Sequence, residues 1–162
     1  MRNNLIMNRR ALLVAAGSIP VALALPGVLQ AKSLPLVTVT KDPNCGCCDG
    51  WAAHIEAAGF PVRVIVSDDV TSLKQRLGVP AQFASCHTAE VDGYVIEGHV
   101  PAVALHRLLS ERPQAIGLAV PGMPAGSPGM DFPGVEPEDY DAFLFGASGY
   151  TTFARFRGSE VI

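Results

Sequence analysis

Basic charge, long apolar runs and hydrolase signatures are what this 162-residue sequence has least of. Lys and Arg number 12 against 15 Asp and Glu, and three of the arginines fall within the first ten residues. Beyond residue 31 nine basic groups face fifteen acidic ones, a net charge of −6. A nucleic-acid partner, which needs a basic stripe, is thereby excluded. Past that point no apolar run approaches the roughly 20 residues that cross a bilayer. There is no Gly-x-Ser-x-Gly elbow and no His-Glu-x-x-His pair, so the usual hydrolase arrangements are missing. The Pro- and Gly-rich stretch Pro121 to Met130 lacks the Gly-Lys-Ser/Thr ending of a phosphate loop. No internal repeat occurs. Cysteine is also scarce, four residues in all, yet three of them fall within Cys45-Gly46-Cys47-Cys48.

The N-terminus carries a basic region (Arg2, Arg9, Arg10), an apolar run from Ala11 to Leu25, and a small-residue cleavage site at Leu29-Gln30-Ala31. That is the anatomy of an export signal over residues 1–31. The Arg9-Arg10 pair directly before the apolar run points to the twin-arginine route. An uncleaved anchor is the competing reading. Against it, Gly17, Pro20 and Pro26 interrupt the run and no basic stop-transfer cluster follows. Cleavage leaves residues 32–162 as one domain with no membrane segment, long enough to bury about two-thirds of its unfolded surface.

Leu36 to Thr40 alternates and is β-branched, which predicts a strand. Trp51, Ile55 and Ala58 follow at helical spacing, with Gly59 placed as a C-cap. Pro61 to Val66 predicts a second strand. Ser67-Asp68-Asp69 offers an N-cap for a second helix carrying Val70, Leu73 and Leu77 and stopped by Gly78. Phe83 to Val91 and Tyr94 to Glu97 flank Asp92-Gly93, a strong hairpin turn. Pro101 opens a third helix with Ala102, Leu105, Leu108 and Leu109 on one face, ended at Arg112-Pro113. Ile116 to Val120 reads as a short strand, and Tyr140 to Phe145 with Tyr150 to Phe156 as a terminal hairpin. The class is therefore α/β. The β-α-β-α-β-β-α order is that of a thioredoxin-like domain, here atypical and extended by the C-terminal loop and hairpin. In that layout a reactive cysteine motif caps the first helix, where Cys45 to Cys48 lies.

Outside the cytoplasm thiols tend to pair. Bridges among such near neighbours, however, close small strained rings, so the spacing argues for a thiolate site instead. The first turn of a helix has unpaired N–H groups and partial positive charge, which favour ionised sulfur. Gly46 frees the backbone so that two sulfurs can face one point. Clustered thiolates select soft ions: Cu(I), Zn(II) or an iron–sulfur cluster. Cys86, on the third predicted strand, is placed to complete a four-sulfur set. His87 is a further candidate ligand, although strand alternation turns it to the opposite face if Cys86 faces the site. His54 and His106 read as solvated helix positions, and His99 as a turn residue. Met123 and Met130, in the Pro/Gly loop, offer soft thioether donors should that loop close over the cysteines.

Several segments closely resemble a known family: Lys41-Asp-Pro-Asn-Cys-Gly-Cys-Cys48 followed by Trp51, Ser85-Cys-His-Thr-Ala89, and Gly93-Tyr94. Glu97-Gly-His-Val-Pro101 and Gly122-Met-Pro124 through Gly126-Ser-Pro-Gly-Met130 continue the likeness. It is the CopG-like exported copper-resistance family, once catalogued only as a domain of unknown function. The resemblance implies an atypical thioredoxin-like fold and periplasmic copper handling. It also implies multinuclear Cu(I) on Cys45, Cys47, Cys48 and Cys86. The partners it implies are copper ions and other periplasmic copper-handling proteins. A thiol–disulfide oxidoreductase is the rival, since Cys45 and Cys48 keep the two-residue spacing of such enzymes, with Cys47 unaccounted for. Copper redox cycling would join the two readings. A structural zinc site would ordinarily use two separated pairs.

Overall fold

Alternation at the start of the domain becomes β1 (Val37–Lys41), whose Val37 and Val39 are fully buried. The computed structural model describes residues 33–162; the export signal read at 1–31 lies outside the described residues. Helix α1 (Cys47–Ala57) turns Cys48, Trp51, Ala52 and Ile55 inward. Gly59 then takes φ +93°, with its N–H on Glu56 O, which ends the helix as a left-handed cap does. The chain returns as β2 (Val62–Val66), parallel to β1. Helix α2 (Val70–Arg76) is capped by Asp69, whose carboxylate accepts from Ser72 N–H.

Strands β3 (His87–Val91) and β4 (Tyr94–Glu97) form the expected hairpin. Both turn residues have positive φ, Asp92 at 46° and Gly93 at 87°, as a tight primed turn requires. Helix α3 (Ala102–Glu111) buries Ala102, Ala104, Leu105 and Leu108. The expected β-α-β-α-β-β-α order is the order found. Three strands extend the sheet beyond it: β5 (Gly117–Ala119), β6 (Asp139–Gly146) and β7 (Gly149–Arg157). A short β8 (Glu160–Val161), which the sequence did not announce, closes an eight-stranded sheet of order β2-β1-β3-β4-β5-β6-β7-β8. The fold is mixed α/β, with helices α1 and α3 packed on the sheet through Trp51, Ile55, Leu105 and Leu108. Burying an aliphatic side chain of this kind contributes about 1.5–3 kcal/mol. Among the described residues no helix is long and apolar enough to cross a membrane.

Two expectations about the fold need correction. The third strand does not begin at Phe83. Residues Ala81–Phe83 form a 3-10 turn, and Cys86 sits one position before β3. Phe83 is diverted into a second small core with Val95, Ala119 and Phe145, while Ser85 is drawn to Glu97 by two hydrogen bonds. Helix α2 does not present Leu73 and Leu77 as its buried face; both are half-buried, and Lys74 points inward instead. The Pro/Gly loop packs against α1. Gly129 lies so close to α1 that a Cβ there would stand 2.6 Å from Cys47 O and 2.8 Å from Trp51 N.

Candidate metal centre

β1 and β3 are antiparallel neighbours, with Lys41 opposite His87. The end of β1 and the start of β3 therefore share one end of the sheet. The loop after β1 delivers Cys45, α1 begins at Cys47, and Cys86 arrives just ahead of β3. Backbone bonds fix the junction: Asp42 N–H donates to Cys86 O (3.3 Å), Cys45 N–H to Asp42 O (3.1 Å), and Asn44 N–H to the Asp42 carboxylate (2.8 Å). Lys41, almost fully buried, reaches back along the loop to Cys45 O (3.2 Å) and to Asp49 (2.5 Å) in the first turn of α1. Asp49 there also suits the positive end of the helix.

The sulfurs of Cys45, Cys47, Cys48 and Cys86 all lie within 4.8 Å of one another. Cys86 Sγ is 3.0 Å from Cys45 Sγ, 3.3 Å from Cys48 Sγ and 3.7 Å from Cys47 Sγ. Cys45 and Cys47 sulfurs are 3.5 Å apart. The ligand edge of a tetrahedral ion with metal–sulfur bonds of ~2.3 Å is about 3.8 Å, and the Cys45–Cys47 and Cys47–Cys86 separations come close to it. Cys45 and Cys48 are joined by a disulfide, with Cys47 and Cys86 free. That corrects the expectation that near neighbours would not bridge. The start of α1 brings residues three apart to a Cα separation of 5.6 Å, inside the range a disulfide spans.

Gly46 does not act as expected. Its φ and ψ of −75° and −35° are helical values open to any residue. Cys86 departs from a low-pKa thiol: burial first, and Cys47 beside it second, push its thiol up to about 11. A bound cation reverses that balance, since it favours the thiolate directly.

Met123 reaches the cluster, its Sδ 3.9 Å from Cys47 Sγ, and is more than half exposed. A cavity of about 430 Å³ opens beside it, lined by Asp42, Cys45, Cys47, Lys74, Ser85 and Cys86 among others. The Met130 backbone is tied into its own loop, its N–H donating to Ser127 O (2.7 Å) and its carbonyl accepting from Gly126 N–H (3.0 Å). A larger cavity of about 520 Å³, lined by Asp92, Tyr94, Arg112 and Ile116 among others, contains no cysteine or histidine.

Histidine is where the sequence misleads most. His87 is fully buried against Trp51 (ring centroids 4.5 Å) and His99 (5.5 Å). It lies near Cys86 rather than across the sheet from it, because Cys86 precedes the strand and strand alternation does not govern the pair. Burial above all, then His99 and Lys74, press the His87 imidazole down to about 3. His99 is also buried and lowered by desolvation, its Nδ1 2.8 Å from Pro128 O. His54 is no solvated position: its Nε2 accepts from Ala102 N–H (3.0 Å) and so caps α3. His106 is exposed and lies beside Phe60.

Two residues that carry the site escaped the sequence reading. Glu97, fully buried, accepts from Lys74 Nζ (2.7 Å), Ser85 N–H (2.6 Å), Ser85 Oγ (2.7 Å) and Thr88 Oγ1 (2.7 Å). Lys74 also donates to His87 O (3.1 Å) and Thr88 Oγ1 (2.7 Å). Together they hold the Ser85-Cys86-His87 segment. A trace was available: Lys74 stands four residues after Val70, on the buried face of α2.

A family model described as "Protein of unknown function, DUF411" matches residues 83–130. No curated protein matches. Two solved structures are similar, described as copper resistance protein copG, form 1 and form 2. They share 42% and 43% identity with this chain, each at a TM-score of 0.71. The matches cover 77% and 76% of this chain and 99% and 98% of theirs. With that identity spread over almost the whole of both relatives, the chain belongs to the CopG copper-resistance family.

Proposed function

We propose that this protein binds copper, as Cu(I), through Cys45, Cys47, Cys48 and Cys86, and limits its toxicity in the periplasm after export. The observation that carries the reading is the convergence of four sulfurs within 4.8 Å from two distant stretches of chain. A dithiol reductant must first open the Cys45–Cys48 bond, giving two electrons and two protons and leaving as its own disulfide. Each thiol that then takes copper gives up its proton. Thiolate is the donor Cu(I) prefers, and a sulfur shared between two ions of low coordination number allows a small cluster. Met123, exposed at the rim beside Cys47, supplies a neutral thioether by which copper is passed on to or taken from other copper-handling proteins. Met130 remains a second thioether donor on the same loop. Export by the twin-arginine route and cleavage of residues 1–31 leave residues 32–162 as a single domain of thioredoxin-like plan.

A thiol–disulfide oxidoreductase is the second reading. In its favour, the Cys45–Cys48 disulfide has the Cys86 sulfur 3.0 Å from one end and 3.3 Å from the other. Against it, a thiol held near 11 supplies little thiolate at neutral pH, and thiolate is the attacking species. The test is anaerobic Cu(I) titration of the reduced protein against a competing chelator, with a thiol count alongside. Tight copper uptake that collapses in Cys45→Ser/Cys47→Ser is the expected result. Weak, substoichiometric uptake unaffected by those changes refutes it. Insulin reduction by the metal-free protein would favour the oxidoreductase.

A further inference from the structure

On the side of the sheet away from the C-terminal hairpin, the outermost strand is β2, with β1 as its neighbour. Val37 N–H donates to Pro61 O (2.9 Å) and Ser67 N–H to Lys41 O (3.0 Å). Pro61, Arg63, Ile65 and Ser67 therefore turn their peptide groups toward β1. In a parallel pair the residues between them, Val62, Val64 and Val66, turn theirs outward. Among the described residues no backbone group meets those three.

The side chains leave the same edge apolar. Val64 and Ile65 are each 44% exposed and Val66 59%, so both faces of the strand show hydrocarbon to solvent. Protein edges are commonly blunted by lysine, proline, a bulge or a covering loop. β2 contains no lysine or proline, and its register against β1 runs unbroken from Val62 to Val66. An edge of this kind is a template for pairing with another strand.

The charges around it select the occupant. Arg63 stands near the start of β2 and Asp68-Asp69 directly after its end, all three exposed. Neither Arg63 nor Asp68 joins an ion pair among the described residues. A strand that is basic at one end and acidic at the other complements its own reverse. Parallel pairing would set like charges side by side, whereas antiparallel pairing sets opposite ones together twice.

We propose that β2 docks antiparallel on β2 of a second copy of this chain, about a two-fold axis at Ile65, to form a closed dimer. In this register Ile65 faces Ile65 of the other copy, and Val64 faces its Val66. The outward peptide groups of Val64 and Val66 then exchange about four main-chain hydrogen bonds. Arg63 falls diagonally across from Asp69 of the other copy, within reach of a long side chain. The metal centre is undisturbed. Ser67 and Asp68 mark its end of the strand, so reversal places the second copy's centre at the opposite end of the joined sheet. A five-residue edge makes a small interface, which sets the dimer in equilibrium with monomer. None of this rests on the copper reading.

The experiment is sedimentation equilibrium of the metal-free protein over a series from micromolar to millimolar concentration. Monomer and dimer in mass-action balance are expected. Ile65→Lys, which sets two ammonium groups on the axis, should weaken the dimer by about tenfold or more. Arg63→Glu should weaken it as well, and it decides the matter should the lysine variant fail to fold. Register is read by cross-linking in a Cys47→Ser/Cys86→Ser background with diamide as oxidant. Ile65→Cys should give a disulfide-linked dimer and Arg63→Cys should not, because the two copies of position 63 lie too far apart. A monomer at every concentration, an open-ended polymer, a dimer indifferent to both charge variants, or equal linking at 63 and 65 each overturns the proposal.

Discussion

Replacing Lys74 by methionine should destabilise the protein by about 3 kcal/mol. The change leaves Glu97 as a fully buried carboxylate without its cation. Removing one partner of a buried pair typically costs about 3–5 kcal/mol. Two features set the expectation at the lower end. The carboxylate keeps its hydrogen bonds from Ser85 N–H, Ser85 Oγ and Thr88 Oγ1, and Lys74 lines an open cavity through which water can reach the gap. For a domain of this size ~3 kcal/mol corresponds to roughly 12 °C in Tm, at about 4 °C per kcal/mol. With m near ~1.5 kcal/mol/M, the urea midpoint moves by about 2 M. The assay is urea unfolding of the metal-free protein followed by circular dichroism. Lys74→Met/Glu97→Gln removes both charges and keeps an acceptor for Ser85, so it should return to within about 1 kcal/mol of wild type. A single variant that loses less than ~1 kcal/mol, or a double variant no better than the single, refutes the view that this pair holds the cysteine-bearing segment by charge.

Gly129→Ala should cost about 3 kcal/mol, since φ there is +86° and the new Cβ meets Cys47 O and Trp51 N. Gly46→Ala, with nothing within 4 Å, serves as a control within ~0.5 kcal/mol, and equal urea midpoints for the two would contradict the packing described. Alkylation of Cys86 in the metal-free protein should stay slow through pH 9 and climb toward pH 11, following a thiol held near 11; a plateau by pH 8.5 in a mass-spectrometric time course rules that out. His87 is lowered in the folded state, to about 3 from 6.5. Its stabilising contribution is therefore complete above pH 6.5 and is lost as pH falls toward 3, because the unfolded chain takes up the proton first. His87→Phe should flatten that part of the urea-midpoint profile between pH 7 and pH 4, and a profile parallel to wild type would show that His87 does not titrate this way.

Local chemistry made most of the element order legible. Gly59 and Asp92-Gly93 demanded backbone geometries that side chains rarely accept, and the periodic apolar residues of α1 and α3 left little choice of face. The four-cysteine convergence was legible for a related reason: a motif after the first strand and a cysteine in the first half of the third expected strand fall toward one end of the sheet. What escaped depends on contacts distant in the chain. Cys86 left its strand because Glu97, eleven residues on, binds Ser85. Lys74 reads as a surface lysine until that carboxylate is opposite it. His54 became the cap of a helix 48 residues away. His87 and His99 meet because the β3–β4 register, with Thr88 opposite Glu97, runs on past the strand ends and sets His87 level with Gly98.

The split of the sulfurs along the chain has a consequence for linkage. Three of them lie within four consecutive residues and stay within reach of one ion when the chain is unfolded, whereas Cys86 is 38 residues beyond Cys48. On the copper reading proposed above, the ion would bind the denatured ensemble as well as the native one, and only the difference between the two affinities would add to folding. That difference arises chiefly from Cys86, the one cysteine of the four that folding alone brings in. Loading the protein with copper should accordingly raise its melting temperature far less than the strength of copper binding alone would imply.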